Sequence, residues 1–109
     1  ISIMLKDSEL DFATFSHFEP KTTAELVAHF DENFEAAKKD LQAAADEDFN
    51  EKFALKNKGE LLYSAPKKDE ISSAINHLAH HRGQLTVYMR LNEIEVPSIY
   101  GPSADDRSF

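Results

Sequence analysis

Three of the five histidines fall within five positions, in the run Asn76-His77-Leu78-Ala79-His80-His81-Arg82-Gly83-Gln84. On a helix of about 3.6 residues per turn, positions four or seven apart share a face, so His77, His81, Gln84 and Tyr88 project together. Imidazoles at i and i+4 set two nitrogens within reach of one tetrahedral divalent ion, as in helical zinc sites. The run is not the metalloprotease motif, which places a glutamate directly after the first histidine as general base; Leu78 stands there. Gln84 and Tyr88 are placed to support the ligands, by hydrogen-bonding an imidazole or a metal-bound water. His80 lies about 60° around the helix from His77, which suits a neighbour better than a ligand. The same spacing also fits a polar helix flank or a dimer seam, because two ligands do not close a site that needs three. His17 and His29 are the remaining third-ligand candidates within the chain, and the spacing decides for neither.

The elements that must position these groups can be read from apolar periodicity. Pro66 suits a helix start, Asp69 and Glu70 favour the positive N-terminal end, and the pattern predicts a helix from about Lys67 to about Asn92. Ile71, Ile75, Leu78, Leu85 and Met89 form its apolar stripe, with the histidines roughly 100° away around the cylinder. Thr22-Thr23-Ala24-Glu25 fits a capping box, so a second long helix should start there. Leu26, Phe30, Phe34, Ala37, Leu41 and Ala44 then recur at steps of three and four, predicting one buried stripe. Residues 7–21 read as a connector pinned to the surface by Phe12, Phe15 and Phe18. Asp46-Glu47-Asp48 caps a turn or short helix, Phe53 and Leu55 re-enter the core in an irregular or short extended piece, and Lys58-Gly59 marks a turn. The tail Val96-Pro97-Ser98-Ile99-Tyr100-Gly101-Pro102 cannot continue a helix, and its apolar residues are expected to pack back. Ile1-Ser2-Ile3-Met4-Leu5 reads as the tail of an apolar helix whose earlier part is missing.

Composition narrows the chemistry further. The chain has 109 residues and no internal boundary, which predicts a single domain over 1–109. It contains no cysteine, so disulfides, thiolate zinc sites and cysteine nucleophiles are excluded, and any metal must be held by histidine, carboxylate or water. Twenty acidic against twelve basic residues give a net charge of −8, which opposes binding to nucleic acid or anionic lipid. No apolar run approaches the roughly 20 residues that span a bilayer, so a cytoplasmic location is expected. With three glycines there is no phosphate-cradling loop, and no serine sits in a nucleophile elbow. Two amphipathic helices and few strand signals predict an all-α bundle.

One further pattern is more specific than the histidine spacing. Asn76 through Leu85, then Tyr88-Met89-Arg90-Leu91, and Val96 through Asp105 resemble the C-terminal half of the DinB family; Glu9-Leu10-Asp11-Phe12-Ala13 is similar to that family's connector. The resemblance as a whole covers about two-thirds of the chain. The resemblance implies a four-helix bundle, here only its later helices plus connectors, completed by missing N-terminal helices or a partner chain. It implies a homodimer and a divalent metal, zinc or nickel, held by three histidines. Two of these match His77 and His81. The third belongs to a helix before the connector, a position expected to precede Ile1. Some relatives are transferases or isomerases that use low-molecular-weight thiols such as bacillithiol or mycothiol, which implies a thiol co-substrate and a small-molecule substrate. The family's name refers to DNA-damage induction, which concerns expression, and the charge of −8 is consistent with the absence of a DNA-binding surface. A noncatalytic oligomeric helical module with no functional metal site is the competing expectation.

Overall fold

The computed structural model describes residues 1–108. The elements run in the order α1 (Ser2–Lys6), β1 (Glu9–Asp11), α2 (Thr23–Ala43), β2 (Lys52–Asn57), β3 (Glu60–Pro66) and α3 (Lys67–Leu91), with a single 3-10 turn at Asp48–Asn50. Their contacts group into two compact units, the first ending at Ala74 and the second starting at Ile75. The expectation of an all-α four-helix bundle is overturned: among the described residues three helices accompany a three-stranded mixed sheet.

The sheet has the order β1-β2-β3, parallel between β1 and β2 and antiparallel between β2 and β3. Lys58 and Gly59 link β2 to β3, with φ of 52° and 80°, the left-handed pair that a two-residue hairpin turn needs. A register shift follows Leu55, so that Tyr63 pairs with Leu55 and Leu61 with Lys56, leaving Leu62 as the extra residue. This bulge is why Leu61-Leu62-Tyr63 shows no alternation, whereas Phe53 and Leu55 lie on β2, the short extended piece of the two alternatives the sequence offered. Asp11 ties the sheet together: its carboxylate accepts the N–H groups of Ala13 (2.9 Å), Lys58 (2.9 Å) and Gly59 (2.7 Å). These donors, Ala13 and Gly59 foremost, hold the Asp11 carboxyl below its ordinary range.

Helix α2 begins where the capping box predicts. Thr22 Oγ1 accepts the Glu25 N–H at 3.2 Å, and the Glu25 carboxylate accepts the Thr22 N–H at 3.2 Å. Its apolar stripe, however, is not buried: no residue of α2 is, and Phe30 is 60% exposed. Periodicity identifies which side of a helix is apolar and leaves open what lies against it. The connector aromatics Phe12, Phe15 and Phe18 are likewise exposed, and their segment opens with strand β1. Lys6 (2.9 Å) and Ser2 of α1 both bond the carboxylate of Asp40 on α2 and keep it ionised below the usual range, the Ser2 hydroxyl contributing most.

Within the first unit the core centres on Phe53, 2% exposed, and Ile71. Lys67, the first residue of α3, is 3% exposed; its ammonium donates to Glu51 Oε2 (2.8 Å) and to the Leu5 carbonyl (3.1 Å). In the second unit Val96 is the buried apolar residue, whereas Ile99 and Tyr100, expected to pack back, are exposed. The observed α3 agrees with the predicted span to one residue at its end.

Candidate metal centre

A single stretch of α3 positions the histidine group, and the helix alone determines which rings meet. His77 Nε2 and His81 Nε2 lie 2.8 Å apart, with ring centroids at 4.4 Å. On the other side of the His81 ring, Nδ1 is 2.8 Å from Gln84 Oε1. An amide oxygen only accepts, so a neutral His81 carries its proton on Nδ1, and its Nε2 then accepts the N–H of His77 Nε2 across the 2.8 Å contact. The three residues sit at i, i+4 and i+7, all exposed. His80 stays beside the pair, with centroids 6.5 Å from His77 and 5.2 Å from His81. Tyr88 shares the face and is exposed, but among the described residues it bonds neither imidazole.

The donor set can be tested against metal geometry. A tetrahedral ion with Zn–N near 2.0–2.1 Å places its two nitrogens about 3.3 Å apart, so the rings need to part by only about 0.5 Å. Gln84 supplies the outer hydrogen bond that a ligating histidine ordinarily makes through its other nitrogen. The pair therefore fits a divalent cation. A third donor does not join them: among the described residues no group of three or more histidines and carboxylates is set to hold a metal. His17 lies edge-on to Phe15 at 5.1 Å. His29 stacks on Phe18 at 3.9 Å, with its Nε2 3.0 Å from Asn33 Nδ2.

Residues 96–108 contribute polar groups that sequence reasoning did not single out. Asp105 bonds the Arg90 guanidinium and accepts the Val96 N–H at 2.9 Å, and the Arg90 contact chiefly lowers its carboxyl from the usual range. Asp106 accepts the Ser98 N–H at 2.9 Å and both the hydroxyl and the N–H of Ser108, which bring its carboxyl down to about 2. Ser103 Oγ donates to the Val96 carbonyl at 2.6 Å and receives the N–H groups of Asp105 and Asp106. Serine and aspartate side chains readily bond nearby backbone N–H groups, so the concentration of Ser98, Ser103, Asp105, Asp106 and Ser108 is the signal that could have flagged this latch.

The model of the DinB family matches residues 5–107 of the chain, nearly its whole length. The chain belongs to the DinB family. Among curated proteins, the "Uncharacterized protein YrdA" of Bacillus subtilis (strain 168) is 53% identical over 32 residues, which cover 29% of this chain and 19% of that relative. No solved structure matches this chain. In this DinB protein the His77-x-x-x-His81 pair stands on the last long helix, and no described helix is long and apolar enough to cross a membrane.

Proposed function

We propose that this DinB protein binds a divalent metal ion, zinc or nickel, through His77 and His81, and that it acts as a metal-dependent S-transferase. Its co-substrate would be a low-molecular-weight thiol and its other substrate a small electrophile. The observation that carries the reading is the approach of the two Nε2 atoms to 2.8 Å with Gln84 behind His81. When bound, such an ion supplies Lewis-acid activation of the thiol. The chain's own residues do the positioning. Gln84 fixes the His81 tautomer and ring plane, which leaves Nε2 as the donor and raises its basicity. Tyr88, one turn beyond Gln84 on the same face, offers a phenol to a bound substrate. A catalytic zinc site takes three protein ligands, so the assignment requires one donor beyond this pair.

Elemental analysis of protein purified without a histidine tag tests the ligand assignment. One equivalent of metal in the parent and none in the His77→Ala/His81→Ala variant is expected; metal retained by the double variant sinks it. Thiol conjugation is then assayed against a panel of electrophiles, and metal without conjugation removes the transferase part.

The exposed stripe of α2, Leu26, Phe30 and Phe34 among it, favours a second reading: a noncatalytic, homodimeric helical module. Under that reading a chelator leaves both the melting temperature and the oligomeric state unchanged. A chelator-induced fall in melting temperature argues for the metal, since binding to the native state adds stability.

A further inference from the structure

The side of α3 opposite the histidines holds a cleft. Ala79, Arg82 and Gly83 share a face about 180° around the helix from His77 and His81. Facing them are Pro97, Ile99 and Tyr100 of the tail, and the space between measures about 290 Å³. That is near the lower end of cavities that hold small molecules, about 300–1,000 Å³.

Three features of this cleft bear on its occupant. A Cβ added at Gly83 would meet nothing within 4 Å, so the helix side of the cleft is open down to the backbone. The Arg82 guanidinium carbon sits 4.9 Å from the centroid of the Tyr100 ring, and among the described residues no carboxylate pairs with it. This is unusual in a chain of net charge −8, where Arg90, two turns on, has taken Asp105. Finally, Tyr100 is 90% exposed. It is held out by a braced backbone, with Gly101 at φ 125° and its carbonyl bonded by the Ser98 hydroxyl at 2.9 Å.

The cleft thus combines a guanidinium that no carboxylate pairs among the described residues, an aromatic face and apolar walls at Ala79, Pro97 and Ile99. A guanidinium donates two parallel N–H bonds to a planar carboxylate, and it does so while remaining stacked on a ring. An apolar body attached to that carboxylate then lies along the walls and removes their surface from water. Inorganic phosphate would satisfy the guanidinium and leave the walls unused. We propose that the Arg82–Tyr100 cleft binds a small organic monocarboxylate, with its carboxylate on Arg82 and its apolar part between Gly83 and Ile99. The site is separate from the histidine face and does not depend on a metal there.

Titration of the isotope-labelled full chain with benzoate, and in parallel with the neutral isostere benzamide and with inorganic phosphate, tests this by amide chemical shifts. Benzoate is expected to give saturable shifts confined to residues 79–86 and 99–103. Benzamide and phosphate should bind at least ~10-fold more weakly, as loss of a charge-assisted bond or of the apolar contact predicts. Arg82→Gln should weaken benzoate by a similar factor. Gly83→Leu, which fills the cleft while leaving Arg82 in place and favours helix, should abolish binding in a protein whose circular dichroism is unchanged. His77→Ala/His81→Ala should bind benzoate as the parent does. Equal binding of benzamide or phosphate, retained binding in Gly83→Leu, loss in the histidine variant, or no saturable shift by about 10 mM overturns the proposal.

Discussion

On one side of α3, His77, His81 and Gln84 hold one another through bonds between residues three and four positions apart, within one helix and exposed. On the other side, Asp105 joins Arg90 to the tail, and the bonds of Asp105 and Asp106 to Val96 and Ser98 span nine and eight positions. The first arrangement exists as soon as the helix does. The second exists only when the tail has folded back, and its bonds are accepted by two carboxylates. The difference teaches that a candidate metal face can be set by local geometry alone, whereas the neighbouring cleft needs a tail whose fold depends on longer-range bonds.

The largest effect expected from breaking this contrast is on metal content. His77→Ala combined with His81→Ala should abolish stoichiometric metal, while the Asp106 carboxyl, followed by NMR, still titrates at about 2. A displaced Asp106 titration would show that the two sides are coupled. Next, Gln84→Ala should weaken the metal by about 10–100-fold in competition with a chromophoric chelator, the usual cost of removing an outer hydrogen bond. Unchanged affinity would reduce Gln84 to a bystander.

Acid should act on the tail side. Asp106 is depressed from 3.8 to about 2, and Asp105 is depressed in the same direction by Arg90. A carboxyl lowered in the folded state contributes stability that is fully present above its unfolded value and lost as pH falls through its folded one. Protection of tail amides from hydrogen exchange should therefore decline from about pH 4 toward 2. Asp106→Asn should flatten that decline, and a tail that stays protected at pH 2 would show that the carboxylates do not hold it. The smallest effect concerns Gly83→Ala. Its new Cβ meets nothing within 4 Å, so the variant should gain about 0.5–1 kcal/mol of stability from helix propensity in thermal unfolding. A loss there would mean the tail lies closer than the cleft allows.

What could be read in advance follows the same division. The span of α3, the Thr22–Glu25 box and the convergence of His77, His81 and Gln84 depend on residues within two turns of one another, and helical periodicity carries that information. Strand β1 is three residues long, too short for alternation to register, and Asp11 reaches the hairpin tip across 47 and 48 positions. The bulge at Leu62 hid the hairpin, although Lys58-Gly59 marked its turn. The all-α expectation rested on helix signals that are present together with a strand signal that this irregularity erased. Leu26, Phe30 and Phe34 were legible as one stripe, but not as an exposed one.

Lys67 stands where the sheet gives way to α3, its amine enclosed by Glu51 and the Leu5 carbonyl. Acylating reagents act on free amines, so this lysine should be the last in the chain to be modified while the protein is native. The rate at which it yields would time the opening of the joint between strand and helix, where the first turn of α3 is anchored by a charge hidden from water.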